Sequence, residues 1–220
     1  MTPLPSFQPI NIAVVLFDAV EELDFAGPWE VLAVWARMWL GDAVEIFTVA
    51  DSTKPIRCAK GLRVLPDRNW NRIGPVHALV YPGGRGVMPL LGDDRVRRRL
   101  RKLAASGTLM TSVCTGALAY ADAGLLDGHS ATTHWSALDD LAALGRDIAV
   151  RRDVRFVDAG GVITAAGVSA GIDMALHLVA RLHSRARPRS AAADPIRPAA
   201  ARVTALDDLA RSVALAFRVR

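Results

Sequence analysis

Only two cysteines, Cys58 and Cys114, occur among the 220 residues. So small a number excludes a disulfide framework, and a reducing, cytoplasmic location is the expectation. Long apolar runs are missing too: none approaches the roughly 20 residues of a membrane-spanning helix, so no membrane partner is expected. The opening "MTPLPSFQPI" lacks the basic start and extended apolar stretch of a secretory leader. The 5 histidines fall without metal-ligand spacing, so no metal is anticipated. No internal repeat is visible. What is present is a chain 51% hydrophobic and 22% charged, the composition of one globular domain with a real core.

A net charge of +5 invites a nucleic-acid reading, but its distribution argues otherwise. From Arg181 onward there are 9 arginines and 3 aspartates, so the preceding residues are close to neutral and the basicity belongs to the tail. The stretch "SRARPRSAAADPIRPAAARV" is rich in Arg, Ala and Pro, which divides the chain into a domain over 10–183 and a tail over 184–220. Within that tail "ALDDLARSVALAF" suits one short amphipathic helix. The other basic cluster, "DDRVRRRLRK", places Val96, Leu100 and Leu103 on one side at helical spacing. Its arginines then read as the solvated face of a helix capped by Asp93 or Asp94, rather than as a phosphate site.

Short β-branched runs alternate with helical patterns along the domain. "INIAVVLF", "AVEIFTVA", "HALVYPGG" and "TLMTSVC" read as buried strands. "IRCAKGLRVLPD" and "VRFVDAGGVITAAG" read as hairpins, the first turning at Gly61. Helices are expected from "AGPWEVLAVWARMWL", with Pro28 in the first turn, and from "TGALAYADAG", "SALDDLAALG" and "VSAGIDMALHLVARLH". A short strand is expected at "HSATTHW". This rhythm implies a mostly parallel sheet covered on both faces, with ligands beyond the carboxyl ends of its strands. The loops after Phe17, Tyr81 and Val113 are therefore where chemistry should gather.

Cys114, in "SVCTG", closes a strand and opens a helix. Such a junction pushes a side chain into a cleft, and the N–H groups and dipole of a helix N-terminus favour thiolate. The competing reading is a buried, inert thiol. Asp24, in the loop "ELDFAGPWE", either caps the next helix or exchanges a proton with the cysteine; Glu21, Glu22 and Glu30 are weaker choices. Gly83 and Gly84 of "YPGG" offer backbone N–H groups to developing negative charge, joined by the N–H of Thr115. His134 of "ATTHW" could pair with the thiolate, or the motif could start a helix with Thr133 as cap. Cys58, in a plain hairpin, reads as a bystander.

Taken together, "LDFAGPWEVL", "YPGGRGV", "TSVCTGALAYADAGLLDGHSATTHW" and "GVITAAGVSAGIDMALHLVARL" make the chain resemble the PfpI superfamily. That superfamily is related in fold to class I glutamine amidotransferases, and the likeness is greatest to its isonitrile hydratase branch. The resemblance implies an α/β fold, a flavodoxin-like three-layer sandwich with a nucleophile elbow, assembled as a homodimer. It also implies Cys114 as nucleophile, Thr115 beside it and Asp24 as the acid. The implied reaction is hydration of a small isonitrile to an N-substituted formamide without a cofactor. The tail departs from the family pattern, in a region that often borders the dimer or the cleft.

The same "SVCTGA…AGLLDG…ATTHW" pattern resembles the ligand-sensing domains of AraC-type transcriptional regulators. Those carry two further helix-turn-helix units, and the 37 residues after His183 are too few for the pair. Specific nucleic-acid binding is therefore not expected, and a non-catalytic sensor of a small molecule is the alternative. Glyoxalase, deglycase or peptidase branches of the superfamily usually place a glutamate where this chain has Asp24.

Overall fold

In the computed structural model, residues 9–38 and 43–186 are described, with side chains through His183. The short helix expected in the tail lies outside the described residues. The chain runs β1 (Ile10–Val15), α1 (Glu22–Met38), β2 (Val44–Ala50), β3 (Ile56–Arg57), β4 (Arg63–Val64), β5 (Arg68–Asn69), β6 (Ala78–Tyr81) and α2 (Asp94–Ala105). It continues with β7 (Leu109–Val113), α3 (Gly116–Asp122), β8 (Ser130–Ala131), α4 (Leu138–Leu144), β9 (Ala149–Val150), β10 (Phe156–Asp158), β11 (Val162–Ala165) and α5 (Ala170–Ala186).

Period-two alternation in the strands builds the layers. Ile12 and Val14 of β1 face the layer of α1 and α5, with Leu32, Trp35 and Leu178. Ala13 and Val15 face the opposite layer, with Leu100, Tyr120 and Leu141 of α2, α3 and α4. Leu32, Leu141 and Leu178 are fully buried, each stabilising by about 1.5–3 kcal/mol. The sheet has 7 strands in the order β10-β11-β7-β6-β1-β2-β5. Every neighbouring pair is parallel except β10 and β11, where Phe156 lies opposite Ala165. The chain leaves β1 toward β2 and β5, then returns to β6 on the other side. That reversal opens a crevice beyond the carboxyl ends of β1 and β6.

Most expected elements are present, including the hairpin of β3 and β4 with Gly61 at φ +100°. Two corrections matter for function. The first helix begins at Glu22, well before Pro28, so Asp24 sits in its first turn rather than in a loop and is not its cap. Pro28 lacks the N–H that would bond the Asp24 carbonyl, a cost in a helix interior. Burial of Phe25, Gly27 and Pro28 overrides it: a Cβ on Gly27 would lie 3.0 Å from Ile172 of α5.

The second correction concerns α2. Asp93 is its cap, accepting from the Arg95 N–H at 2.8 Å, and Val96 and Leu100 are buried as expected. Its arginines, however, are not simply solvated. Arg97 grips Asp122 of α3 with two hydrogen bonds of 2.9 and 2.6 Å, and Arg101 donates to the Ala123 carbonyl at 2.8 Å. Among the described residues no helix is long and apolar enough to cross a membrane.

Candidate active site

β7 runs into Cys114, and α3 begins two residues later, at Gly116. The reversal needs Cys114 at φ +58°, a left-handed conformation that an L-residue holds only under constraint. Three neighbours supply that constraint. The Cys114 N–H donates to the Ala165 carbonyl at 3.0 Å, and its own carbonyl accepts from the Thr133 hydroxyl at 2.7 Å. Gly116 lets α3 press against the end of β6: a Cβ there would lie 2.2 Å from the Tyr81 carbonyl oxygen. The elbow read from "SVCTG" is thus present, with Cys114 8% exposed.

Asp24 comes to the same place from α1 and is fully buried. Its Oδ2 accepts from the Gly83 N–H at 3.1 Å, its Oδ1 from the Val168 N–H at 3.2 Å. The Cys114 thiol is its other neighbour, near enough for each to act on the titration of the other. Burial pushes the Asp24 carboxyl up to about 6, although the thiol and the two N–H groups favour its charged form. The Cys114 thiol is pushed up to about 12, first by burial and then by the negative charge of Asp24, against a smaller lowering by the Thr115 N–H. The expected thiolate is therefore not the resting state. Next to an anionic carboxylate in low dielectric, the sulfur keeps its proton.

Gly83 and Gly84 also need correction. Their N–H groups were expected to face substrate, yet Gly83 donates to Asp24 and Gly84 donates to Thr115 Oγ1 at 3.0 Å. The Thr115 hydroxyl returns a bond to the Gly84 carbonyl at 3.3 Å. Both glycines are there for proximity. A Cβ on Gly83 would lie 2.6 Å from the Thr115 nitrogen, and one on Gly84, at φ +118°, 2.5 Å from the Glu21 nitrogen. Glu21 in turn donates its N–H to the Gly83 carbonyl at 2.9 Å and pairs its carboxylate with Lys60.

His134 bonds Ser136 rather than the thiol. Its Nδ1 is 2.8 Å from the Ser136 hydroxyl and accepts from the Ser136 N–H, so it caps the short turn that follows, the role expected of Thr133. With Trp135, Leu138, Arg155, Gly167 and Val168 it lines a cavity of about 390 Å³. That cavity borders the elbow through Thr133 and Val168, which bond Cys114 and Asp24 respectively.

Thr133 and Val168 are the participants that residue types alone did not reveal in these roles. Val168 adopts φ +42°, unusual for a β-branched residue, and so aims its N–H at Asp24. Among the described residues no group of three or more His, Cys, Asp or Glu is placed to hold a metal.

The sequence model of the DJ-1/PfpI family matches residues 10–181, which takes in every element from β1 to most of α5. The chain belongs to the DJ-1/PfpI family. Among DJ-1/PfpI relatives, an isonitrile hydratase from Pseudomonas putida is 38% identical over 173 residues, 79% of this chain and 72% of that protein. The HTH-type transcriptional regulator GbdR of Pseudomonas aeruginosa is 27% identical over 183 residues, and this chain spans 49% of its length. A solved ThiJ/PfpI family protein from Pseudomonas syringae superposes with a TM-score of 0.71 at 27% identity, covering 97% of this chain and 91% of that one. The flavodoxin-like fold of the DJ-1/PfpI family is thus shared along with the sequence.

Proposed function

We propose that this protein is a cysteine-dependent hydro-lyase that hydrates a small isonitrile to an N-substituted formamide. The observation that carries the reading is the placement of the fully buried Asp24 carboxylate beside Cys114: it accepts from the Gly83 N–H, and a Cβ on Gly83 would lie 2.9 Å from the Cys114 Cβ. Asp24 takes the thiol proton as sulfur adds to the terminal isonitrile carbon. It then returns that proton to the same carbon, giving a thioimidate, R–N=CH–S–Cys. Water adds to this carbon while Asp24 accepts a proton from it. The C–S bond breaks, nitrogen gains a proton, and R–NH–CHO leaves with the thiol restored. Thr115 and Gly84 act as positioning residues that fix the elbow beside Asp24. The 38% identity to an isonitrile hydratase supports the same reading.

The test is direct assay of the purified chain with small alkyl isonitriles, following formamide by NMR. Formamide from the parent and none from Cys114→Ala is expected; turnover that survives the substitution overturns the scheme. A second reading, ligand sensing without turnover, is favoured by the 8% exposure of a protonated thiol and by the likeness to GbdR. It requires binding of a small molecule to the parent with no product formed.

A further inference from the structure

Beyond the carboxyl ends of β1, β2 and β6 lies a second cavity, of about 290 Å³, and Cys114 is not among the residues that line it. It occupies the crevice where the strand order reverses, the place at which open α/β sheets hold ligands. The floor is apolar, with Val15, Leu16 and Leu100 buried and the rings of Phe17 and Tyr81 5.6 Å apart. A tyrosine hydroxyl interrupts it. Tyr81 is 2% exposed and lines the cavity, and its hydroxyl makes no hydrogen bond among the described residues. That hydroxyl keeps some accessible surface rather than being sealed off, and this surface opens on the cavity. Burial pushes the phenol upward, so it remains a neutral donor. A donor that opens on a cavity with no partner in the chain is available to an acceptor from outside.

The rim supplies the other half of the recognition. Asp18, Asp51 and Ser52 are exposed there beside Arg99. Arg99 is already engaged, 2.9 Å from Asp51 and 4.4 Å over the Trp70 ring. Arg95, whose charge also reaches Asp51, is held by Asp93. Asp18 accepts only the Arg57 backbone N–H, at 3.0 Å. Two carboxylates against one guanidinium leave the mouth negative, which repels an anion and attracts a cation.

We propose that this cavity binds a small heteroaromatic amine. Its ring packs on Phe17 and Tyr81, a ring acceptor atom takes the Tyr81 hydroxyl, and its protonated amino group faces Asp18 and Asp51. The volume suits a molecule of roughly ten heavy atoms. This site is independent of the chemistry at Cys114.

Calorimetric titration of the full chain with picolylamine, benzylamine and benzoate tests it. Picolylamine should bind the parent and Cys114→Ala alike, and benzoate should bind least. Tyr81→Phe should weaken picolylamine by about three- to tenfold and leave benzylamine, which lacks the ring acceptor, unchanged. Asp18→Asn should weaken both amines. Ser52→Trp, a change at an exposed position that fills the mouth, should abolish binding of both. The proposal is overturned if no amine binds, if benzoate binds as well as picolylamine, or if Tyr81→Phe or Ser52→Trp has no effect. Loss of picolylamine binding in Cys114→Ala overturns it as well, by assigning the ligand to the other site.

Discussion

The regions around Cys114 and Cys58 make an instructive pair. Both thiols are buried, and both are pushed up by burial with carboxylates nearby: Asp24 for Cys114, Glu22 and Asp18 for Cys58. By exposure and electrostatics alone the two are hard to separate. Geometry separates them. Cys58 lies between β3 and β4, bonded backbone to backbone with Leu62 at 2.8 Å. Cys114 is held in left-handed backbone, with the fully buried Asp24 carboxylate fixed beside it by the Gly83 and Val168 N–H groups. A difficult thiol pKa does not mark a reactive cysteine; a proton acceptor held beside it does.

The comparison can be broken most sharply by removing the sulfurs one at a time. Cys114→Ala should lower isonitrile turnover by at least about a thousandfold, while Cys58→Ala leaves kcat within about twofold. Loss of activity in the Cys58 variant would erase the distinction. Next in size, Asp24→Asn should cost roughly 100- to 10,000-fold in kcat/KM. In the parent, the rate should rise with pH through about 6 as Asp24 ionises and can accept the thiol proton. A profile flat across that window would remove Asp24 from the mechanism. The same raised value bears on stability. Protonated Asp24 is favoured in the fold, so its contribution is fully present below the ordinary carboxylate range and is lost as pH rises through about 6.

Two glycines sharpen the contrast at the level of the fold. Gly83→Ala forces a Cβ to within 2.6 Å of the Thr115 nitrogen and should destabilise by about 1–3 kcal/mol in urea unfolding, with loss of activity. Gly61→Ala, in the Cys58 hairpin at φ +100°, meets nothing nearer than 4.0 Å and should cost about 1 kcal/mol from backbone strain, with activity kept. The smallest expected effect is Thr133→Val, which removes the hydroxyl bonded to the Cys114 carbonyl. It should cost about 1 kcal/mol of stability and lower kcat more than it alters KM. An unchanged kcat would make Thr133 structural only.

Much of this was legible in the residues. β1 and β6 were plain because they are covered on both faces and so apolar at nearly every position, and β7 because it is short, buried throughout and runs into the Cys-Thr-Gly turn. β5 and β9 were not, since two residues carry no period. Pro28 hid the true start of α1, because packing against α5 outweighs the lost hydrogen bond. At the site, Cys114 and Asp24 stood out by chemistry and position. Val168 did not: it serves through its backbone N–H, and a backbone donor leaves no preference for residue type. The protonation of Cys114 was equally hidden, as burial and the charge of Asp24 come from residues distant in sequence.

The internal use of the Gly83 and Gly84 amides bears on the proposed reaction. Amidases and peptidases pass through a tetrahedral species whose alkoxide must be met by uncommitted donors. Here those donors are taken up by Asp24 and Thr115, and the Thr115 N–H is directed at sulfur. A peptide bond attacked at this elbow would find the Gly83 and Gly84 N–H groups already bonded. In the first step of the proposed hydration the isonitrile carbon bears no oxygen, and a single returning proton neutralises the charge where it forms.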